Sequence, residues 1–459
     1  MKKLFGRFMA AGLLIMLVLM AGCGASYTGQ QAAGSNETAG EISQENPEEG
    51  IEEDATEAAD GTEDNKDTDA SDTEAIAEDT ALYEAITSED GLGPDAICGT
   101  AMGSGYFADA DLVDLVFENY NAITLENELK PESMFGKSNN GPMGGTHDEE
   151  LNGKTISVPT IYHKKADDML DKILAWNDEN PGRAFKVRGH VLVWHSQTPE
   201  WFFHEDYDND KPYASKEVMD ERQEWYIKSM LEYYTGEGSK YEGLFYAWDV
   251  VNEAVSDSGG KYRSADSDWW KIYESEEYIV NAFRYANKYA APEVDLYYND
   301  YNEDNDLKMM GIIKLIQAVK EDPEARIDGF GMQGHYSLNQ PSDKKFETCA
   351  RKYLEEVDKV MLTELDVKAS AGYDGSDEKI KEEYIKQAEY YKGIYEAVKR
   401  IKADGGDFAG ITTWGVADPV SWLHDFTGKS QCPLLFDGKY ERKPAFWAFV
   451  DPSRIEGNE

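Results

Sequence analysis

The sequence predicts a (β/α)8 barrel, a closed ring of eight parallel strands with a helix after nearly every strand. Two observations favour this fold. Strand-like runs alternate with amphipathic helical stretches from about residue 90 to residue 453, and such alternation implies a parallel sheet. Polar side chains also gather where these runs end, as they do in barrels, whose strands all end at one face. A doubly wound open sheet is the alternative, and it is weakened because no GxGxxG motif follows an early strand.

Eight runs of apolar and aromatic residues are short enough to be buried strands. They cover residues 96–102, 122–125, 185–194, 244–247, 294–298, 327–332, 360–363 and 408–414. The stretches between them place apolar residues three and four positions apart, which is typical of helices that bury one face. We expect helices within residues 109–119, 166–176, 267–290, 307–320 and 376–400, and a further helix capped by Ser215.

The composition indicates a large and strongly acidic globular protein. The chain has 459 residues, of which 41% are hydrophobic, so it can bury a sizeable core. Its formal net charge of −45 argues against nucleic acid and anionic membranes as partners. The 28 Tyr and 10 Trp residues suit stacking against sugars, although large α/β enzymes also use aromatic residues in their cores.

Residues 1–22 have the features of a secretory signal peptide. A charged start, Met1-Lys-Lys, is followed by an apolar run from Met9 to Met20 and then by Ala21-Gly22-Cys23. The small residues before Cys23 resemble the bacterial lipobox, with Met20 in place of its usual Leu. An uncleaved membrane anchor is the alternative, but the run is shorter than the ~20 residues that a span requires. We therefore expect an extracellular protein, lipid-anchored at the bacterial cell surface through Cys23.

Residues 23–85 are expected to form a disordered acidic tether between this anchor and a catalytic domain at residues 90–453. The segment is rich in Glu, Asp, Ala, Thr, Ser and Gly, and Lys66 is its only basic residue before about residue 80. Such a composition cannot bury enough surface to order itself, and its like charges repel. The membrane is thus expected to be a partner only through the lipid.

The remaining cysteines and the histidines give no sign of a metal or cofactor. Cys98, Cys349 and Cys432 are an odd number, so they define no disulfide framework, and whether two of them pair stays open. No CxxC or HExxH pattern occurs, and the seven His residues are scattered. We expect neither a metal site nor a cofactor.

Two of the predicted strands end in carboxylic acids. Glu253 follows residues 244–247 within the stretch Trp248-Asp-Val-Val-Asn-Glu-Ala, and Glu364 follows residues 360–363 in Glu364-Leu-Asp366. Glycoside hydrolysis requires such a pair: one carboxyl protonates the leaving oxygen, and the other attacks the sugar carbon or directs water at it. Either glutamate alone could equally be an ordinary polar residue that closes a strand.

Polar and aromatic side chains also follow most of the other predicted strands. One such residue is weak support for a site, whereas six strands that end in this way are strong support. The candidates at these ends are Glu126, Asn127, Lys130, His190, Trp194, His195, Gln197, Asn252, Glu253, Gln333, His335, Glu364, Asp366 and Trp414.

These motifs, taken in order, resemble the endo-β-1,4-xylanases of glycoside hydrolase family 10. The resemblance runs from about Leu92 to Asp451, and its blocks are Ile123–Ser133, Val187–Pro199, Trp248–Ala254, Thr363–Asp366, Thr413–Asp418 with Ser421–Leu423, and Lys443–Ala448. It implies a (β/α)8 barrel that hydrolyses internal bonds of xylan with retention of configuration. The partners it implies are xylan and xylo-oligosaccharides, and we expect a monomer.

The resemblance also implies roles for individual residues. Glu364 would be the nucleophile, and Glu253 the general acid and later the base. A negative Glu364 nearby would help to keep Glu253 protonated, because two like charges resist ionising together. Asn252 would bond the sugar 2-hydroxyl, Gln333 would lie near Glu253, and Asp366 would orient His335 beside Glu364. The remaining substrate-binding residues would be Glu126, Asn127, Lys130, His190, Trp194, Gln197, Trp414 and Trp422.

One region departs from the family pattern, and two other functions compete with xylan hydrolysis. Residues 135–165 are a Gly- and Asn-bearing insertion after the second strand, which could shape outer sugar subsites or be a surface loop without a role.

A related endo-acting glucanase would share the barrel and both carboxylates. A surface lipoprotein that captures xylo-oligosaccharides without cutting them would have no need of both Glu253 and Glu364.

Overall fold

A computed structural model describes residue 77 and residues 79–455 of the chain. Within that part the strands are β1 (Ile97–Met102), β2 (Ala122–Leu125), β3 (Thr146–Leu151), β4 (Lys154–Pro159), β5 (Lys186–Trp194), β6 (Phe245–Asn252), β7 (Asp295–Asp300), β8 (Gly329–Met332), β9 (His335–Ser337), β10 (Lys359–Lys368) and β11 (Phe408–Thr413).

Eight of these strands form a closed parallel barrel. Strands β1, β2, β5, β6, β7, β8, β10 and β11 pair side by side in that order, and β11 also pairs with β1. Closure is visible at Gly410, which lies opposite Ile97 on one side and Met361 on the other. The predicted (β/α)8 barrel is therefore confirmed, and the eight barrel strands are the eight runs that the sequence indicated.

Of the described helices, one precedes the first barrel strand, and the others lie between or after the strands. They are α1 (Leu82–Thr87), α2 (Ala110–Asn119), α3 (Pro131–Met134), α4 (Lys164–Glu179), α5 (Lys216–Thr235), α6 (Asp268–Tyr273), α7 (Glu277–Tyr289), α8 (Asp306–Lys320), α9 (Asp343–Leu354), α10 (Asp377–Ala403), α11 (Leu423–Thr427) and α12 (Pro444–Val450). Ser215 accepts a hydrogen bond from the backbone N–H of Val218, so it caps α5 as its sequence position indicated.

One expected helix is divided in two. The sequence predicts a helix within residues 267–290, but α6 ends at Tyr273 and α7 begins at Glu277. Glu274 has a left-handed backbone conformation (φ 50°), which ends α6. The run Glu274-Ser-Glu-Glu brings like charges together and offers no apolar residue, so nothing in it favours a continuous helix.

The barrel interior is mainly apolar near the beginnings of the strands and mainly polar near their carboxyl ends. Near the beginnings of their strands Ile97, Ala122, Ala247, Tyr297 and Met361 form a buried cluster of their own. This cluster fills the barrel beneath the carboxyl ends of the strands, as layered side chains do in such barrels. The polar residues of the site gather toward the opposite, open face, while the buried pair of Arg188 and Asp249 lies deeper in the barrel.

Gly189 shows how tightly the wall of the barrel is packed. A Cβ atom at this position of β5 would lie only 2.1 Å from the Trp248 ring of the neighbouring strand β6. Because Trp248 is fully buried and cannot move aside, only glycine allows the two strands to pair here.

The insertion at residues 135–165 contains an antiparallel hairpin, β3 with β4, which the sequence did not predict. The hairpin is anchored on the outer helices. Glu149 accepts a hydrogen bond from Trp225 of α5 at 2.9 Å, and Asn152 donates one to Glu224 of the same helix at 2.9 Å. These anchors place the hairpin against the outer face of α5.

The body of the protein begins earlier than expected. The predicted tether at residues 23–85 overlaps α1, whose Leu82 and Ile86 are buried one helical turn apart. Helix α1 packs against α12 and β1, so this boundary was set too late. Arg183 lies over the ring of Tyr83, with its guanidinium carbon 3.8 Å from the ring centre.

Ile86→Ala is expected to lower the free energy of unfolding by about 2 kcal/mol or more, because it removes buried methylene groups and leaves a cavity. Ile86 is 1% exposed. Equilibrium unfolding in urea measures the change, with Met310→Ala, a truncation at a side chain 56% exposed, as the matched control. An effect of Ile86→Ala no larger than that of the control would show that α1 is not part of the folded body.

The signal peptide at residues 1–22, Cys23 and most of the predicted tether lie outside the described residues. Within the described part, no helix is both long and apolar enough to cross a membrane. Cys98, Cys349 and Cys432 are buried free thiols, so no disulfide joins any two of them.

Candidate active site

The two glutamates singled out in the sequence lie on neighbouring parts of the open barrel face. Glu253 directly follows β6, and its backbone is in the left-handed region (φ 55°), which costs a non-glycine residue free energy. Glu364 lies inside β10, which continues to Lys368 because its end pairs with the short strand β9. The expected end of this strand at residue 363 is therefore too early.

Two asparagine side chains connect the glutamates. Asn299, at the end of β7, donates hydrogen bonds from Nδ2 to Glu364 Oε1 at 2.8 Å and to Asn252 Oδ1 at 2.9 Å. Asn252 in turn donates from Nδ2 to Glu253 Oε1 at 3.1 Å. Thr363 donates to Asn299 Oδ1 at 2.6 Å, which fixes the orientation of the amide. The two carboxyl groups are thus held at one site by a continuous set of hydrogen bonds.

Glu364 is held as a carboxylate. Burial would raise its pKa, but the hydrogen bond from His335 and the charges of His190, His335 and Arg188 outweigh burial and hold the pKa at about 2. His335 Nε2 lies 3.2 Å from Glu364 Oε2, and its Nδ1 lies 3.0 Å from Asp366 Oδ1. Burial opposes protonation of His335, yet Asp366 and Glu364 raise its pKa to about 10. At neutral pH the imidazolium therefore lies between two carboxylates.

The pKa of Glu253 is shifted in the opposite direction. Burial raises its pKa, the nearby charge of Asp300 raises it further, and Glu364 adds a smaller contribution. Gln333 Nε2 donates to Glu253 Oε1 at 3.0 Å, and Trp194 Nε1 donates to Oε2 at 3.0 Å. These two hydrogen bonds lower the pKa of Glu253 and oppose part of the rise. The pKa values of the two glutamates are thus shifted in opposite directions, as an acid and a nucleophile require.

Two tryptophans border the Glu364 side of the site. Trp422 Nε1 donates to Asp366 Oδ2 at 2.8 Å, and its ring centre lies 5.0 Å from that of His335. Trp414, 8% exposed, lies edge-on to His190 and His335, with ring centres 5.5 and 6.4 Å apart. Both rings thus lie beside His335.

A second group of polar residues extends the site along β2 and β5. Lys130 Nζ donates to Gln197 Oε1 at 3.0 Å and to Asn127 Oδ1 at 3.3 Å, and it lies 5.1 Å from the centre of the Trp194 ring. Burial lowers the pKa of Lys130, against the opposing charges of Glu364 and Glu126. Burial also raises the pKa of Glu126. These residues form a polar wall beside the two carboxyl groups.

His190 lies deeper than the other candidates. It is 1% exposed, and its Nδ1 lies 2.8 Å from Asp249 Oδ2. Arg188, fully buried in the same strand, forms an ion pair with Asp249 at 3.1 Å and donates to the backbone oxygen of Thr363 at 2.9 Å. This layer supports Glu364 from below and adds positive charge beneath it.

Three residues of the site were missed by sequence reasoning. Asn299 and Asp300 end the fifth predicted strand, so their position was visible, yet no chemistry was assigned to them. Arg188 lies within a strand, where its sequence position gives no sign that it reaches across to Thr363. Among the described residues, no group of three or more His, Cys, Asp or Glu side chains is arranged to hold a metal ion.

Comparison with known proteins agrees with this geometry. The sequence profile of Glycosyl hydrolase family 10 matches residues 91–452. The chain is 34% identical over 335 residues to the bifunctional endo-1,4-beta-xylanase XylA of Ruminococcus flavefaciens, covering 72% of this chain and 31% of that protein. It thus spans about a third of the length of that curated relative.

Two solved structures are similar over most of the chain. One is a GH10 protein from Paenibacillus barcinonensis (TM-score 0.66, 29% identity, 82% of this chain and 99% of that chain). The other contains the CBM22-1 and GH10 modules of endo-1,4-beta-D-xylanase 10B of Clostridium thermocellum in complex with xylohexaose (TM-score 0.65, 29% identity, 82% and 68%). The chain therefore belongs to glycosyl hydrolase family 10.

Proposed function

We propose that this protein is an endo-1,4-β-xylanase that hydrolyses internal bonds of xylan with retention of configuration. The observation that carries the proposal is the pair of glutamates joined through Asn252 and Asn299, one held as a carboxylate and the other favoured as an acid. The xylanase relatives and the family membership support xylan as the substrate class.

In the first step Glu364 attacks the anomeric carbon while the glycosidic C–O bond breaks. The leaving oxygen takes the proton of Glu253, so the departing sugar leaves as a neutral alcohol. His335 and Arg188 stabilise the carboxylate of Glu364 before the attack and hold it in one orientation, which keeps the nucleophile in its ionised form. The product of this step is an ester between Glu364 and the sugar.

In the second step water hydrolyses this ester. Glu253, now a carboxylate, takes a proton from the water, whose oxygen attacks the anomeric carbon as the bond to Glu364 breaks. Two inversions at one carbon give net retention. When the negative charge returns to Glu364, Glu253 regains its preference for the protonated form, and the cycle restarts.

The remaining candidates are proposed to bind sugar. Asn252 would bond the 2-hydroxyl beside the cleaved bond, and Gln333 would orient Glu253. Trp414 and Trp422 would close over the same sugar, where their bulk disfavours the extra hydroxymethyl group of glucose. The subsites that hold the non-reducing-side sugars would be lined by Glu126, Asn127, Lys130, His190, Trp194 and Gln197.

Release of reducing sugars from xylan, compared with carboxymethylcellulose, tests the substrate class. We expect release from xylan with much slower release from the cellulose derivative. The reverse preference would indicate a glucanase, and binding without release would indicate a sugar-capture protein. The anomeric form of the first product, followed by proton NMR, tests the mechanism: the β-anomer should appear first, and initial α-anomer would contradict retention.

His335→Asn is expected to move the acid limb of the kcat/KM profile to higher pH. His335 holds the pKa of Glu364 at about 2 against burial, so its removal lets that pKa rise, and Glu364 becomes protonated at a higher pH. The pH dependence of xylohexaose hydrolysis measures the shift. His147→Asn, at a side chain 48% exposed on the hairpin, is the control, and an unmoved acid limb in His335→Asn would refute the assigned role.

We also propose that the mature protein is anchored at the outer surface of a bacterial membrane by a lipid on Cys23, and that it acts as a monomer. The sequence of residues 1–23 supports the anchor. Mass spectrometry of the mature protein should find a lipid-modified N-terminal Cys23, and an intact Met1 would contradict the proposal.

A further inference from the structure

A buried ion pair lies beside the acid/base glutamate without any assigned role. Asp300 ends β7, Lys308 lies in the first turn of α8, and both side chains are fully buried. Lys308 Nζ lies 2.9 Å from Asp300 Oδ1 and 2.8 Å from Asp257 Oδ1. Burying two charges costs the free energy of their hydration, and apolar side chains packed into the same volume are often at least as stable. A buried pair of this kind therefore calls for an explanation other than stability.

Asp300 is connected to the backbone that follows Glu253. The hydroxyl of Tyr298 donates to Asp300 Oδ2 at 2.5 Å. The same hydroxyl accepts hydrogen bonds from the backbone N–H groups of Ala254 at 2.9 Å and Val255 at 3.1 Å. The Tyr298 hydroxyl has one proton to donate. Because it donates this proton in the hydrogen bond to Asp300, the lone pairs of its oxygen are available to accept from the two N–H groups.

This connection fixes a backbone segment that would otherwise be free to relax. Glu253 has a left-handed conformation, which a non-glycine residue keeps only where its neighbours hold it. Its own N–H donates to the Asn299 oxygen at 2.9 Å, and its own oxygen accepts from Arg263 Nε at 2.9 Å. Tyr298 supplies the acceptor for the next two residues.

A second set of hydrogen bonds connects the backbone of Asp300 to the Glu253 side chain through Gln333. The backbone oxygen of Asp300 accepts from the N–H of Gln333 at 3.0 Å, and the amide of Gln333 donates to Glu253 Oε1 at 3.0 Å. After burial, the charge of Asp300 is the largest influence that raises the pKa of Glu253, ahead of that of Glu364.

The other charged and titratable groups around Asp300 come from several elements. They are Lys308 of α8, Asp257, Arg263 and Tyr301 of the loops above the barrel, Glu253, Tyr298 of β7 and Tyr353 of α9. Both cations in this group also pair with other carboxylates. Lys308 forms an ion pair with Asp257, and Arg263 forms one with Asp266 at 3.2 Å. Burial raises the pKa of Asp300, whereas the charge of Lys308 and the hydrogen bonds from Tyr298 and Lys308 lower it and favour the carboxylate.

We propose that Asp300 is a positioning residue for the acid/base: through Tyr298 it fixes the backbone after Glu253, and it places a buried negative charge within the hydrogen-bonded surroundings of that residue. Lys308 makes this possible because it compensates the buried charge of Asp300. The inference rests on the proposed function, in which Glu253 is the general acid.

Asp300→Asn tests the electrostatic part of this role. The variant removes the negative charge and keeps the size of the side chain, so Glu253 loses its proton at lower pH. The basic limb of the kcat/KM profile for xylohexaose should then move to lower pH, with kcat/KM reduced about tenfold on that limb, a part of the ~10²–10⁴-fold that a general acid contributes. Aryl xylobiosides with a strongly acidic phenol need little protonation and should lose much less.

Tyr298→Phe tests the positioning part and keeps the charge of Asp300. It should lower kcat on xylohexaose more than on the activated aryl xylobioside and leave the basic limb in place. Tyr353→Phe is the matched control, because Tyr353 is equally buried and donates to the Glu303 backbone oxygen at 2.8 Å instead. Its kinetics should stay near those of the unmodified protein.

The outcomes separate this inference from the proposed function. An unmodified protein that does not cut xylohexaose contradicts the proposed function itself. An active protein whose Asp300→Asn variant is folded, by circular dichroism, and keeps its basic limb overturns the inference. If Asp300→Asn does not fold, Tyr298→Phe decides: a loss that is equal on both substrates, or no larger than that of Tyr353→Phe, overturns it as well.

Discussion

Glu364→Gln is expected to reduce turnover of xylan by about 10⁴-fold or more, because an amide cannot form the glycosyl-enzyme bond. The change is nearly isosteric, and the amide oxygen can still accept the hydrogen bond from Asn299. Loss of activity therefore reports on the lost nucleophile rather than on lost packing. Initial rates of reducing-sugar release from xylan, with the far-UV spectrum as a check of folding, measure the effect.

Glu303→Gln is the matched control for this experiment. Glu303 is another fully buried glutamate of the barrel, and its Oε1 accepts a hydrogen bond from Tyr336 at 2.7 Å. Burial raises the pKa of Glu303 to about 7, so its carboxyl is already largely neutral at mildly acidic pH and an amide resembles it. Near-normal turnover is expected for Glu303→Gln, and near-normal turnover for Glu364→Gln would overturn the assignment of the nucleophile.

Glu253→Ala is expected to reduce hydrolysis of xylan by about 10²–10⁴-fold, the usual contribution of a general acid. The size of the effect should depend on the leaving group. An aryl xylobioside with a strongly acidic phenol departs without a proton, so its first step should be nearly unaffected and the glycosyl-enzyme should accumulate. A burst of phenol followed by slow turnover, seen by absorbance in a stopped-flow experiment, is the expected result.

Azide should restore the turnover of Glu253→Ala on that substrate. This small anion attacks the glycosyl-enzyme without the help of a base, and the space left by the Glu253 side chain admits it. The product should be the β-glycosyl azide, because the attack is the second of two inversions. Equal losses on xylan and on the activated substrate, or no response to azide, would show that Glu253 is not the acid/base.

Much of the site could be predicted because the end of a barrel strand can be recognised from the local sequence. A barrel strand is a short apolar run, and the residue that follows it lies at the open face whatever its distant neighbours are. Glu253, Gln333 and Trp414 were assigned to strand ends in this way, and in the structure each directly follows a barrel strand. Helix α5 likewise begins where Ser215 indicated, since capping depends on adjacent backbone alone.

Features that depend on distant contacts could not be predicted. The hairpin held by Trp225 follows from packing that no local pattern reveals. The end of β10 at Lys368 depends on β9, which pairs with it only after the chain has folded. Helix α1 was assigned to the tether because it follows directly on the acidic segment and only two of its residues, Leu82 and Ile86, are buried.

The electrostatics of the site show the same limit. The sequence suggested that Glu364 keeps Glu253 protonated, and the structure adds burial and Asp300 as larger causes. Asp300 is next to Asn299 in the sequence, yet its partner Lys308 lies on α8, and its hydrogen bond with Tyr298 connects it to the backbone that follows β6. A charge network of this kind is defined by the assembled barrel and by no single stretch of the chain.

Covalent labelling tests the central claim most directly. A 2-deoxy-2-fluoro xylobioside with a strongly acidic leaving group should form the glycosyl-enzyme and then hydrolyse slowly, because the fluorine destabilises the oxocarbenium-like transition states. Peptide mass spectrometry should find one fluoroxylobiosyl group on the peptide that contains Glu364, and none in Glu364→Gln. A label on Glu253, or no label on an enzyme that still cuts xylan, would contradict the account.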